Sequence, residues 1–197
     1  MPRRFIFSLV FVLSLLAGPV MVAAVSVDSD GDGLSDEMEL KFQTDQDNPD
    51  SDEDGYPDGL EVKNGYDPLQ GTGAKLFKQI KINLAKQELS YNLGNVELGK
   101  FPISAGKSST PTPRGTFAVM NKNQKAWSAS YKLWMPYWLG FKDTTYGIHE
   151  LPFWPSGRRE GESSLGRPAS HGCVRLGIGS AKIVYDFAAV GTEVKIE

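Results

Sequence analysis

One run of this 197-residue chain, Ser170-His171-Gly172-Cys173-Val174-Arg175-Leu176, gathers the residue types that covalent catalysis needs. Cys173 is the only cysteine, and His171 and His149 are the only two histidines. A thiol with an imidazole nearby is the minimum equipment for thiolate attack on a carbonyl. An ordinary thiol has a pKa near about 8.5, so a base or an imidazolium partner must raise its thiolate fraction at neutral pH. A lone cysteine forms no internal disulfide, so its chemistry needs another explanation.

A second constellation is acidic and repeats. Asp28-Ser-Asp30-Gly-Asp32-Gly33 aligns with Asp50-Ser-Asp52-Glu-Asp54-Gly55 at an offset of 22 residues, and Asp36, Glu39, Lys41 and Asp45 match Asp58, Glu61, Lys63 and Asp67. Each copy has the spacing D-x-D-x-D-G-x5-E. Oxygens at the first, third and fifth positions converge on one hard cation, the glycine permits the sharp turn, and the last glutamate closes the shell. The expected calcium ligands are therefore Asp28, Asp30, Asp32, Asp36 and Glu39 in one copy, and Asp50, Asp52, Asp54, Asp58 and Glu61 in the other. An EF-hand is excluded, because no helix is available to enter either loop. Only a short exit helix fits, with Leu34, Met38 and Phe42 on one face.

Stepping outward, the chain divides by charge. Positions 26–70 hold 15 Asp and Glu against 2 Lys, whereas positions 71–197 hold 17 Lys and Arg against 9 Asp and Glu. The acidic part suits a cation and the basic part an anionic surface or polymer. Met1-Pro2-Arg3-Arg4, an apolar run to Val25 and the pair Ala23-Ala24 read as a secretory signal peptide over 1–24. The rival is an uncleaved membrane anchor; Gly18-Pro19 and the alanine pair favour cleavage. No cysteine stands near the cleavage site, which excludes a lipoprotein. A module over 26–70 and a domain over 75–197 follow. Every acidic ligand precedes Gln70 and every candidate catalytic residue lies at or beyond His149, so the module reads as structural and separable from the chemistry.

The elements that must position Cys173 are mostly strands. Gln79 to Leu84 alternates polar and apolar residues, Glu88 to Leu93 and Val96 to Phe101 flank the turn signal Gly94-Asn95, and Thr116 to Met120 and Thr192 to Ile196 add further strands. The stretch from Trp127 to Phe141 is rich in aromatic residues; half of them read as core and the rest as walls of a cleft. In this domain only Ser180 to Val190 has a helical face, through Ala181, Val184, Tyr185 and Ala188.

Four stretches, Thr110-Pro-Thr-Pro-Arg-Gly-Thr-Phe117, Tyr146-Gly-Ile-His149, Ser164-Leu-Gly166 and Ser170-His-Gly-Cys-Val-Arg-Leu176, together resemble the catalytic domain of the L,D-transpeptidases, the YkuD-type fold. The acidic stretch resembles the thrombospondin type 3 calcium repeat. The first resemblance implies a mostly-β sandwich with one or two short helices, joined here to a small calcium-loop module. It implies acyl transfer on peptidoglycan stem peptides, with Cys173 attacking the third-residue carbonyl and expelling the terminal D-alanine. It places the base at His149, oriented by a neighbouring backbone carbonyl such as that of Glu150. His171 is then expected to shape the pocket, Gly172 and Cys173 to offer oxyanion N–H groups, and Ser170, Tyr146 and Arg175 to contact substrate. The plainer reading of Arg175 is a structural salt bridge. Two departures from the family are Glu150, where a small residue is usual, and a charged insert from Pro155 to Ser163.

The resemblance implies no cofactor for catalysis and a purely structural calcium. Stem peptides are the expected partner, with no nucleic acid, no membrane insertion once the signal is removed, and a monomeric state. The acceptor stays open among a second stem peptide, a lipoprotein lysine, an amino acid and water, the last making an L,D-carboxypeptidase. A non-catalytic wall-binding protein and a calcium-dependent adhesion protein are the rivals outside the enzyme class, and neither needs a free thiol.

Overall fold

Apolar alternation sets the strands. In Lys78–Asn83 (β1) Ile80 and Ile82 are fully buried while Lys81 between them is exposed. Glu88–Leu93 (β2) turns at Gly94, φ +56°, into Val96–Ser104 (β3). The structure, a computed structural model, describes residues 26–71 and 73–197. The signal-peptide reading of 1–24 lies outside the described residues, and no described helix is long and apolar enough to cross a membrane.

Gly115–Ala118 (β4), Asn121–Ser128 (β5), Leu133–Lys142 (β6), Tyr146–Glu150 (β7), Val174–Leu176 (β8) and Glu193–Ile196 (β9) complete a nine-stranded sheet. Its order is β4-β9-β1-β2-β3-β8-β7-β6-β5, in which β1 and β9, and β7 and β8, are the parallel neighbours. The sheet curls until its ends approach. Met120 N donates to Gly140 O (2.7 Å), and the Phe117 and Phe141 rings lie 5.5 Å apart. The space enclosed is filled by Ile80, Ile82, Leu89, Ile103, Phe141, Ile148, Val174 and Leu176. Helix α3, Ser180–Phe187, closes this core with Ala181, Val184 and the following Ala188. Its last carbonyls are capped by lysines: Lys122 Nζ donates to Tyr185 O and Ala188 O, and Lys78 Nζ to Phe187 O.

β5 is absent from the sequence reading. Asn121-Lys-Asn-Gln-Lys-Ala-Trp-Ser has no apolar alternation because it is the outer edge of the sheet, where charge blocks further pairing. β3 continues past the expected end at Phe101. At Pro102 it leaves β2, and Ile103 and Ser104 then pair with β8.

The acidic module forms α1 (Asp36–Phe42) and α2 (Asp58–Asn64), one after each loop. Leu34 and Phe42 pack on Leu93 of β2, with Met38, Val62, Val96 and Leu98 around them. Module and domain therefore share a small apolar core on the β2–β3 hairpin.

Candidate active site

The loop before Cys173 is held from several directions. Ala169 N and Ser170 N both donate to Ala105 O (3.0 and 2.9 Å), while Ser170 O accepts from Lys107 N (3.1 Å) and Thr110 Oγ1 (3.2 Å). Thr112 Oγ1 accepts from Gly106 N (2.9 Å) and donates to Gly172 O (2.8 Å). The Thr-Pro-Thr-Pro run thus braces the Cys173 loop, a role its rigidity hinted at and its spacing did not. Ser170 is fully buried, and its hydroxyl donates to Cys173 O and accepts from Gly172 N (2.9 Å).

Two expectations are corrected by these bonds. Ser170 cannot touch substrate, since it is sealed inside the turn. Gly172 N–H is already engaged by Ser170, so it is not an open oxyanion donor. The requirement at Gly172 is steric: φ is +119°, and a Cβ would lie 2.7 Å from Tyr146 Cε1. Tyr146 lines the cleft and braces this glycine.

β7 carries His149 beside Arg175 of β8 in parallel register, and Cys173, in the bend just before β8, lines the same cleft as both. His149 is 2% exposed, its ring stacks on Trp138, and its Nδ1 lies 2.6 Å from Glu150 O. A carbonyl only accepts, so Nδ1 carries the proton and Nε2 is a bare acceptor. Burial, then the Arg175 charge, drives the His149 pKa down to about 4 against the pull of the Glu150 bond. Burial raises the Cys173 thiol above its ordinary value, opposed by a bond from Gly147 and by Arg175. The resting pair is therefore neutral thiol and neutral imidazole. Cys173 Sγ donates to Thr145 O (3.5 Å), and neither histidine hydrogen-bonds it among the described residues.

A cleft of about 700 Å³ opens over the thiol and is also lined by His149, His171, Arg175 and Glu160. His171 is exposed and stacks on Tyr131 at 4.6 Å between ring centroids. Trp127 and Tyr131 stand on the rim, Phe141 is buried in the core, and Trp138 is buried yet also lines the cleft. Arg175 Nη1 donates to Glu160 Oε1 (2.8 Å), so the salt-bridge reading of Arg175 is met, while its side chain still lines the cleft. Glu160 was not anticipated; an acid inside a charged insert gives no local sign of facing a cleft.

The module holds the second candidate site. Carboxylate oxygens of Asp28, Asp30 and Asp32 lie within 4.8 Å of one another, as do those of Asp50, Asp52 and Asp54. Glu39 is fully buried and neither of its oxygens has a partner; Glu61 Oε2, Asp30 Oδ2 and Asp52 Oδ2 are likewise unpaired among the described residues. Burial and then the surrounding aspartates push Glu39 and Glu61 up to about 7. Buried carboxylate oxygens without donors, gathered beside three aspartates, fit a hard cation. Asp36 and Asp58 lie outside the two aspartate triads. Their oxygens accept from the backbone N–H and hydroxyl of Ser29 (2.9 and 2.9 Å) and Ser51 (3.0 and 2.6 Å), which makes them braces of the loops. The copies interlock: Gly59 N donates to Asp32 Oδ2 (2.6 Å), and a Cβ on Gly59 would lie 2.7 Å from Asp32 O.

Residues 78–196 match the L,D-transpeptidase catalytic domain family, and residues 28–45 and 50–71 match the bacterial TSP3 repeat. The first match covers more than half of the chain, and the chain belongs to the L,D-transpeptidase catalytic domain family. Two Bacillus subtilis (strain 168) proteins provisionally named L,D-transpeptidases are similar to it. YkuD is 28% identical over 120 residues and YciB 31% identical over 124, each alignment covering 59% of this chain and 64% of the relative. The chain thus spans less than two thirds of either relative. Among solved structures, an L,D-transpeptidase (Yku) from Stackebrandtia nassauensis superposes with a TM-score of 0.53 at 25% identity, covering 63% of this chain and 57% of that one. An L,D-transpeptidase from Mycobacterium smegmatis, at TM-score 0.55 and 22% identity over 64% and 60% of the two chains, shares the fold.

A neutral thiol–imidazole pair makes a pH prediction. Alkylation of Cys173 by iodoacetamide should climb steadily from neutral into alkaline pH, with its midpoint above that of an ordinary thiol. A plateau reaching down to roughly pH 5 would instead reveal a preformed thiolate–imidazolium pair.

Proposed function

We propose that this chain is an exported peptidoglycan L,D-transpeptidase, with a catalytic domain over 75–197 and a calcium-binding module over 26–70. Cys173 Sγ attacks the carbonyl of the third residue of a stem tetrapeptide, and its proton passes to His149 Nε2. The tetrahedral oxyanion faces the amide of Cys173 itself, since the Gly172 amide is occupied. Collapse breaks the bond to the terminal D-alanine, whose amine leaves with the proton from His149. The resulting thioester is attacked by an acceptor amine, a new amide forms, and the thiol is restored.

The observation that carries this reading is the His149 Nδ1 bond to Glu150 O, because it leaves Nε2 unprotonated on a ring that lines the same cleft as Cys173. Depression of the imidazole pKa fits a base that must start neutral. His171, exposed against Tyr131, is assigned to the pocket wall rather than to proton transfer. A non-catalytic wall-binding role leaves the buried imidazole and the thiol in one cleft without a use. Export follows from the substrate, which lies outside the cytoplasm, and from the signal-like residues 1–24.

Asp28, Asp30, Asp32 and Glu39 would hold one calcium, and Asp50, Asp52, Asp54 and Glu61 a second. When bound, the ion neutralises clustered charge that otherwise repels; it has no part in the acyl transfer.

On tetrapeptide muropeptides, Cys173→Ala should abolish release of D-alanine. His149→Ala should reduce it by about 10²–10⁴-fold, at least as much as His171→Ala. Near-full activity of Cys173→Ala contradicts the mechanism, and a larger loss in His171→Ala reassigns the base.

The mature protein should release or absorb heat on titration with calcium at roughly 10⁻⁴–10⁻³ M, the range of extracellular modules. Its melting temperature should rise with free calcium. Glu39→Gln should lose most of that shift. A chain beginning at Gly71 should show no calcium response and should melt lower, because Leu93, Val96 and Leu98 lose their cover. Absence of calcium heat at millimolar concentration removes the assignment.

A further inference from the structure

The two departures from the family, Glu150 and the insert, meet in space. Arg159 of the insert pairs with the buried Glu150 carboxylate and donates to Leu151 O (3.1 Å), and Glu150 Oε2 accepts from Gly179 N (3.1 Å). Glu160 N donates to Pro152 O (2.9 Å). The insert is thereby pinned as a strap along the cleft, with Glu160 on the wall. Glu160 Oε1 accepts from Arg175 Nη1 at 2.8 Å, the two side chains being 20% and 12% exposed. Arg175 Nη2 donates to no protein group and is not among the closed-off atoms, whereas Nε is unpaired but sealed from the cleft, and no protein donor meets the second oxygen of Glu160 among the described residues. One wall of the cleft that holds Cys173 thus presents a cation with spare donors beside an anion with a spare acceptor.

We infer that Glu160 is a specificity-determining residue: with Arg175 it reads a donor side chain whose end carries an ammonium and a carboxylate on one carbon. The inference rests on the transpeptidase reading for the place of that side chain, in the third residue of the donor. A lone carboxylate approaching Arg175 meets the negative Glu160 and must displace it. A lone ammonium approaching Glu160 meets the guanidinium in the same way. A group bearing both charges completes an alternating set of four, with ammonium on Glu160 and carboxylate on Arg175, and breaks no existing bond. Discrimination then comes partly from repulsion of singly charged ends.

The test is calorimetric binding of three synthetic tetrapeptides to the Cys173→Ala protein, which keeps the cleft and cannot turn over. The peptides differ only at the end of the third side chain: both charges free, ammonium acetylated, or carboxylate amidated. The doubly charged peptide should bind about tenfold or more tightly than either blocked one. Adding Glu160→Gln should weaken it by about tenfold and erase the preference for a free ammonium, while the preference for a free carboxylate persists. Arg175→Gln should do the reverse. Equal binding of all three peptides, or an equal loss for all three in Glu160→Gln, overturns the inference. If Glu160→Gln fails to fold, the peptide series on the Cys173→Ala protein decides alone. Turnover of the doubly charged peptide by the native protein is scored separately. Selective binding without turnover refutes the reaction and upholds Glu160, and turnover with indiscriminate binding does the opposite.

Discussion

The hydrogen bond from His149 Nδ1 to Glu150 O is the constraint on which the site depends. Without it either tautomer of a buried neutral imidazole is available, and only one leaves Nε2 as a free acceptor. The bond joins a ring to the carbonyl of its own neighbour, so it costs no distant element. What it needs is a strand that keeps residue 149 facing the cleft and a wall that keeps water out. β7 supplies the first by pairing on both sides, with β6 and with β8. Trp138 supplies the second, packed over the imidazole and itself fixed by Asn121 through its indole N–H (2.9 Å).

The thiol side is built on a different scale. Cys173 ends a loop fixed by Ala105, Thr110 and Thr112, and β3 switches from β2 to β8 just before Ala105. The acidic module packs on the far end of the same β2–β3 hairpin, through Leu34, Phe42 and Leu93. β3 is thus a continuous piece of backbone from the module's docking surface to the partner strand of the site. Within the module, Glu39 and Glu61 show what charge clustering does in a desolvated place: each carboxyl is held near about 7 until something neutralises its neighbours. Ionisation of such a group opposes folding, so the cation-free module loses stability as pH rises from the ordinary carboxylate range toward 7.

Local periodicity made part of this legible from sequence. β2 runs from Glu88 to Leu93 as expected, and the Ala181–Val184–Ala188 face packs on the core as expected, because each pattern is decided by which side meets the interior. β5 was hidden, since an edge strand of lysines and asparagines has no interior side. The positions of His149 and Cys173 in one cleft needed the parallel β7–β8 pairing, which joins residues 26 apart and leaves no local trace. The inward roles of Gly172 and Ser170 leave no mark in the sequence, because a short turn can direct its amides either way; here the Ser170 hydroxyl takes the Gly172 amide inward. Gly59 breaks the repeat, standing where Glu37 stands in the first copy, and only its contact with Asp32 explains the exception. The charges of Glu150, Arg159, Glu160 and Arg175 were each visible, but charge alone does not say which partner it finds.

The central claim is that Cys173 becomes acylated by a stem peptide. Intact-protein mass spectrometry after brief mixing with a purified disaccharide-tetrapeptide, followed by peptide mapping, tests it most directly. The account predicts an adduct with the mass of the donor less D-alanine, carried by the peptide that contains Cys173 and released by hydroxylamine as a thioester is. D-Alanine release with no adduct on that peptide at any mixing time, or an adduct mapped to another residue, contradicts it.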